Sequence, residues 1–363
     1  MKPRSIATVA ACGVAGVAVG LAAAAGVIYH KQIKSATSLK RLTDYADGYD
    51  LYAIDIAYDY DLDRIIAADV RDDQAYIDAV LAQVLPGVPA HVQAPQFACS
   101  AFAAVDAEGR VRTGRNYDFK DDTSALLVRN QPRDGYASIG FAALNNLGNN
   151  APLDSIAGRA AALMGPFAQL DGVNECGVSI AVLTLDSKPC DQDTQRPVIN
   201  TSLAIRLVLD RAATTQEAVD LLSAYDMHAM AGRDYHFFIN DAAGDARVVE
   251  WDPRDPDRTC RATPVRQVTN FYACYENEVL PNQKNGELGH GKERALAIAD
   301  VLDAHTGAQD EAVAWNALRA AAQEPNPEDI TSNTQWSVVF DNTEPAAAIT
   351  LRRHWGDVDA FAL

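Results

Sequence analysis

Phe97-Ala98-Cys99-Ser100-Ala101-Phe102-Ala103-Ala104-Val105-Asp106, the turn Ala107-Glu108-Gly109, and then Val111-Arg112-Thr113-Gly114-Arg115-Asn116-Tyr117-Asp118-Phe119 form the stretch that decides the fold. The first run alternates as a strand does, the turn carries glycine, and the second run is again strand-like, so the stretch predicts a β-hairpin. Such a hairpin gathers the Cys99 thiol, the Arg115 guanidinium and the Asp118 carboxylate at one end of a sheet. Cutting the chain before Cys99 would add a free α-amine, whose intrinsic pKa is roughly 8. That amine can take the thiol proton. Asp118 would orient the amine, and Arg115 would favour the thiolate. The plainer reading of Arg115 and Asp118 is a structural ion pair. A Cys–His centre finds no support, because none of the seven histidines suggests a base; His236, in Tyr235-His236-Phe237-Phe238, reads as a strand residue.

The 363 residues carry a formal net charge of -18, which argues against a nucleic-acid partner, since phosphate binding needs clustered Lys and Arg. Six cysteines (Cys12, Cys99, Cys176, Cys190, Cys260 and Cys274) include no CxxC pair, so a zinc site is not expected; no cofactor is expected either. Cys176 with Cys190 and Cys260 with Cys274 are candidate disulfides in an exported chain and buried free thiols otherwise.

Residues 1–30 read as a targeting segment. Lys2 and Arg4 precede an uncharged apolar run from Ile6 to Tyr29, and His30, Lys31 and Lys34 follow it. The run is long enough to cross a bilayer as a helix. Ala22 to Ala25 fits a small-residue cleavage site, and Val9-Ala10-Ala11-Cys12 resembles a lipidation box. Anchor, cleaved signal and lipidation stay open; each places the rest of the chain outside the cell, membrane-attached or secreted.

Residues 31–98 differ in character. A Tyr- and Asp-rich stretch (45–61) leads to a helical pattern over Asp73 to Leu85, then to the breakers Pro86, Gly87 and Pro89. This region reads either as a small subdomain or as a propeptide packed on the domain downstream of it. From Cys99 onward strands are expected at Cys99–Val105, Val111–Asn116, Tyr136–Leu144, Val178–Leu185, His236–Asn240, Arg247–Trp251, Gln267–Thr269, Trp336–Phe340 and Ala348–Leu351. Helices are expected at Ser202–Ala213, Gln216–Ser223, Lys292–His305 and Asp310–Ala321. Helices set between groups of mostly antiparallel strands make an α+β domain over 99–363, with sheets covered by helical layers.

These residues resemble a known family, the choloylglycine hydrolase-like linear amide C–N hydrolases of the N-terminal-nucleophile superfamily. That group includes bile salt hydrolases, penicillin V acylases and, more distantly, acid ceramidase. Cys99 with Gly114-Arg115-Asn116-Tyr117-Asp118 is similar to the family's nucleophile and its Gly-Arg-Asn-x-Asp strand. Asp171-Gly172-Val173-Asn174-Glu175-Cys176-Gly177-Val178 resembles the family's Asp-Gly-Met-Asn-Glu-x-Gly-Leu turn. Tyr235–Trp251 is similar to its hairpin, Thr269-Asn270 to its Thr-Asn, Lys292-Glu293-Arg294-Ala295 to the segment bearing a later arginine, and Thr334-Gln335-Trp336-Ser337 to its closing strand.

The resemblance implies a four-layer αββα sandwich, autocatalytic cleavage of the Ala98–Cys99 bond, and attack of Cys99 on the amide of an N-acyl compound. It further implies that Asn270 donates to the oxyanion and that Arg294 sets the charge balance, against the bland readings of a loop cap and a solvated helix face. Asn174 is expected to hold a turn before Gly177. Thr184 stands where bile salt hydrolases carry Asn and penicillin V acylases often carry Tyr; its backbone N–H is a candidate for the oxyanion hole, and neither specificity is indicated. The segment from Leu144 to Phe167 is expected to form a lip over an apolar acyl pocket. The leading expectation is an exported, self-processing amidase with a small-molecule substrate. An acyltransferase that passes the acyl group to a bound amine, and a catalytically silent, membrane-tethered ligand-binding protein, are the alternatives. A homo-oligomer is left open.

Overall fold

In a computed structural model the structure describes residues 29–86, 98–147, 153, 155–283, 286–326, 328 and 332–363. The apolar run from Ile6 therefore lies outside the described residues save for Tyr29. Among the described residues no helix is long and apolar enough to cross a membrane.

The first elements among the described residues are helix α1 (His30–Ser38), strands β1 (Lys40–Arg41) and β2 (Leu51–Ile56), and helices α2 (Leu62–Ile66) and α3 (Asp73–Val84). Strands β3 (Ala98–Val105), β4 (Val111–Asp118), β5 (Ala125–Asn130) and β6 (Ser138–Ala143) come next, then helix α4 (Ile156–Ala162). After them stand β7 (Gln169–Asn174), β8 (Ser179–Leu185), β9 (Val198–Asn200) and helices α5 (Thr201–Arg211) and α6 (Thr215–Ser223). Strands β10 (Asp226–His228), β11 (Asp234–Asn240), β12 (Ala246–Trp251), β13 (Cys260–Pro264) and β14 (Gln267–Val268) precede helices α7 (Lys292–Ala304) and α8 (Glu311–Ala321). Strands β15 (Thr334–Asp341), β16 (Ala346–Leu351) and β17 (Asp359–Ala362) end the chain.

Two sheets form the centre, a nine-stranded one in the order β1-β2-β5-β6-β7-β8-β11-β12-β13 and a six-stranded one in the order β14-β3-β4-β15-β16-β17. Helices α5 and α6 cover the large sheet, and α7 and α8 cover the small one. The result is the expected four-layer αββα sandwich with largely antiparallel sheets.

The alternation read in the sequence sorts β3 between two cores. Cys99, Ala101 and Ala103 pack in the main core, while Phe102 and Ala104 pack with Ile298, Leu302, Val313 and Leu318 beneath α7 and α8. Burying side chains on both faces makes β3 a central strand, which explains its near-continuous apolar composition. The register of β3 on β4 places Cys99 opposite Tyr117 and Ala101 opposite Arg115. Gly114 is required here, because a Cβ would lie 2.2 Å from the Phe102 ring.

Residues 31–86 do not form a separate body. Strand β2 pairs parallel with β5 over six residues, Leu51 with Ala125 through Ile56 with Asn130. Leu51 and Ile54 are fully buried by this pairing. Side chains from the same segment tie it down further. The Tyr58 hydroxyl donates to the Leu163 carbonyl and that of Tyr76 to the Phe167 carbonyl. The Tyr60 hydroxyl donates to Asp210, which also holds the buried Arg206 at 2.9 Å.

The expected strands and helices are present with shifted ends; the strand expected over Tyr136–Leu144, for example, shortens to Ser138–Ala143. Asp171 to Asn174, read as part of a turn, belong instead to strand β7. The turn proper is Glu175 to Gly177, with Gly177 at φ 82. Asn174 holds this turn as expected. Its Oδ1 accepts the Cys176 and Val178 N–H groups, and its Nδ2 donates to the Ala212 carbonyl.

Candidate active site

The site is assembled at the ends of β3 and β4 and completed by groups distant in sequence. Cys99 is fully buried. Its Sγ accepts from Arg115 Nη2 at 3.3 Å, and the same nitrogen donates to the Val182 carbonyl on β8 at 3.1 Å. Arg115 thereby bridges the two sheets beneath the thiol.

In the uncut chain the Cys99 backbone N–H stands where an α-amine would be after a cut. That N–H donates to Asn270 Oδ1 at 3.0 Å. Asn270 Oδ1 also accepts from Arg294 Nη2 at 2.7 Å. Arg294 Nη1 donates to the Cys99 carbonyl at 2.8 Å and to Asp118 Oδ2 at 3.3 Å. Cys99 is thus held at its nitrogen, carbonyl and sulfur by three different side chains.

Asp118, fully buried, receives Thr334 Oγ1 at 2.6 Å on one oxygen and Gln323 Nε2 at 2.8 Å on the other. Arg115 pairs with Asp171 at 2.9 Å, and Asp118 pairs with Arg294. The plain ion pair between Arg115 and Asp118 is therefore not the one formed. Asp171 in turn accepts from Trp336 Nε1 at 3.2 Å. Two guanidiniums and two carboxylates leave the cluster formally neutral, so it can host a thiolate–ammonium pair without a net buried charge.

Burial pushes the Cys99 thiol up to about 12, against the pull of the Arg115 guanidinium. Burial also raises the carboxyls of Asp118 and Asp171, opposed chiefly by Arg294 at the first and Arg115 at the second. In the uncut chain the thiol is a neutral, shielded group.

Asn270 Nδ2 donates to the Thr184 carbonyl at 2.8 Å, which leaves its second hydrogen for another acceptor. Thr184 is buried, and its hydroxyl has no partner. Two contacts steady this pair. His236 Nε2 meets the Thr269 carbonyl at 3.0 Å. The His290 backbone N–H donates to the Asn270 carbonyl at 2.7 Å, while its ring meets Asp186, just beyond β8, at 3.0 Å. The His290 ring beside it holds the Asp186 carboxyl below the usual carboxylate range.

The sequence profile of the acyl-coenzyme A:6-aminopenicillanic acid acyl-transferase family matches residues 105–354, over two thirds of the chain. The chain belongs to this family. The match starts in the strand that carries Cys99 and takes in Arg115, Asp118, Asn270 and Arg294. Among solved structures the fold is similar to a mutant conjugated bile acid hydrolase from Clostridium perfringens, with TM-score 0.55 and 16% identity, covering 73% of this chain and 92% of that one. It is also similar to penicillin V acylase from Agrobacterium tumefaciens, with TM-score 0.52 and 20% identity, covering 73% of this chain and 86% of that one. At these identities the likeness is one of fold, that of the N-terminal nucleophile hydrolases. No curated protein matches the sequence.

In this acyl-transferase family member a cleft with roughly 690 Å³ of free space, its mouth included, opens beside β8. Leu147, Met164, Phe167, Leu170, Val182 and Met230 give it a mainly apolar lining. Val182 connects it to the centre, since its carbonyl receives Arg115. Part of the segment expected as a lip, Leu147, Met164 and Phe167, lies on this wall; residues 148–152 and 154 lie outside the described set.

Cys99, Arg115, Asp118, Asn270 and Arg294 are brought together, and Thr184 adjoins them through its carbonyl. Asp171, Gln323 and Thr334 were not singled out from sequence, although Asp171 and Thr334 stand inside quoted motifs. Cys176, Cys190, Cys260 and Cys274 are free thiols, so the candidate disulfides are not formed among the described residues. No group of metal ligands is present among the described residues.

Proposed function

We propose that this chain is a self-processing cysteine amidase that hydrolyses the amide of an N-acyl compound, with Cys99 as its nucleophile. The observation that carries this reading is the three-point hold on Cys99 by Arg115, Asn270 and Arg294. In the precursor, Cys99 Sγ adds to the Ala98 carbonyl carbon, the Ala98–Cys99 C–N bond breaks, and the Cys99 nitrogen leaves as an amine. Water then hydrolyses the resulting thioester and frees the Ala98 carboxylate.

In the mature enzyme the α-amine takes the thiol proton as sulfur adds to the substrate carbonyl. Asn270, with its free amide hydrogen, and the Thr184 backbone N–H face the oxyanion, an interaction of about 3–4 kcal/mol of barrier for one donor. The C–N bond breaks and the α-ammonium protonates the departing amine. Water, losing its proton to the α-amine, then splits the acyl thioester into acid and thiol. The acyl chain occupies the apolar cleft beside β8.

The parallel pairing of β2 with β5 favours retention of the upstream piece as a second chain after the cut. The charged flanks of the run from Ile6 favour export, with that run as signal or anchor. The family profile's acyl-transferase description supports a second reading, in which a bound amine outcompetes water for the thioester. Incubating purified protein with N-acyl amides, with and without an acceptor amine, tests both. Release of free acid in either case supports hydrolysis. Acyl transfer that supplants acid release supports the second reading, and no turnover with an intact Ala98–Cys99 bond contradicts both.

A further inference from the structure

The acyl cleft is not apolar throughout. Asp73, the first residue of α3, lies on its wall with Tyr76 and Ile77, so the piece upstream of Cys99 builds one side of the cleft. Asp72 caps the helix by accepting the Ala75 N–H at 2.8 Å, which leaves the Asp73 carboxylate without a capping role. Asp73 Oδ2 accepts the Ala231 N–H at 3.0 Å. Its Oδ1 is shielded from solvent and has no partner.

Two neighbouring hydroxyls on the wall are otherwise engaged. The Tyr76 hydroxyl donates to the Phe167 carbonyl, and the Thr201 hydroxyl accepts the Met230 N–H at 3.2 Å. Gln169 Nε2 also lacks a partner, but its side chain is pinned at Oε1 by Arg206, and a Cβ on Gly140 would come within 2.5 Å of that nitrogen. It belongs to the packing between strands. Asp73 Oδ1 is a shielded acceptor without a donor, on a residue of the cleft wall. A shielded carboxylate oxygen without a donor is costly, and a ligand that supplies the donor recovers that cost. A protein of net charge -18 also draws cations towards such a site.

We propose that the cleft selects acyl groups ending in a protonated amine, which donates to Asp73 Oδ1. This rests on the amidase reading and adds that a residue upstream of the cut reads the far end of the substrate. No covalent step is involved.

The test compares kcat/KM for a homologous series of straight-chain N-acyl amides ending in an ammonium, a hydroxyl or a methyl group. The full-length wild-type chain is expected to favour the ammonium end over both others by about tenfold or more. Asp73→Asn keeps an acceptor for the Ala231 N–H and removes the charge, and is expected to abolish that ratio. Equal rates for ammonium and methyl ends overturn the proposal, as do equal rates for ammonium and hydroxyl ends, or an ammonium preference that survives in Asp73→Asn. Should no amide be turned over and Cys99 remain uncut, the amidase reading fails by itself. Calorimetric binding of the free ω-amino acids and matched alkanoic acids to the same chain then decides the cleft proposal, with tighter binding of the ω-amino acids expected and equal binding overturning it.

Discussion

Asn270 Oδ1 lies 3.0 Å from the Cys99 nitrogen and 2.7 Å from Arg294 Nη2, so one side-chain oxygen joins the nucleophile's backbone to the charge network. After a cut the same oxygen can receive one hydrogen of the α-amine, which turns the amine's lone pair towards the thiol. Asn270→Ala removes this orientation and an oxyanion donor together. Turnover by the cut enzyme is expected to fall by about 10² to 10³, and cleavage of the precursor to slow. Single-turnover assays and the rate of fragment appearance on gels measure the two effects separately.

Burial sets the reactivity of the uncut thiol. With its pKa pushed up to about 12 by burial, Cys99 is a neutral thiol at pH 8, and the charged form gains only as pH rises towards that value. A precursor kept uncut is expected to resist iodoacetamide at Cys99 at pH 8, while denatured chain is alkylated there. Peptide mapping after timed exposure reads this directly. Rapid alkylation of Cys99 in the folded precursor would contradict the shielding.

Arg115 and Asp171 are both fully buried, and each neutralises the other. Arg115→Met leaves the Asp171 carboxylate without its partner, a loss of about 3–5 kcal/mol for a broken buried pair. Combining it with Asp171→Leu removes the stranded charge and is expected to return much of that stability. Urea denaturation of the two variants against the parent chain checks the order.

Much of this was legible in the sequence, and the reasons differ by element. The β3–β4 hairpin shows itself because alternation and a glycine turn are local signals. Arg294 and Asp118 meet across 176 residues, and no spacing rule reaches so far. Asp171 was hidden because Asp-Gly signals a turn, whereas the strand pairing of β7 with β6 and β8 overrides that local preference. The joining of residues 31–86 to the large sheet was invisible for a similar reason. Parallel pairing of β2 with β5 has no connecting turn to announce it.

That pairing has a consequence for the cut enzyme. The upstream piece is expected to co-elute with the downstream one in native gel filtration and to separate only in denaturant. Ile54→Asp places an unpaired carboxylate at a buried position of β2 and is expected to weaken the association or prevent folding. An upstream piece that leaves freely under native conditions would contradict the role given to β2.

The central claim is that Cys99 becomes the first residue of the working enzyme. Intact mass spectrometry of active, purified protein tests it most directly, alongside Cys99→Ala prepared in the same way. The account predicts two polypeptides, the downstream one beginning at Cys99, and a Cys99→Ala chain that stays whole and inactive. A fully active preparation in which the Ala98–Cys99 bond is intact would contradict it.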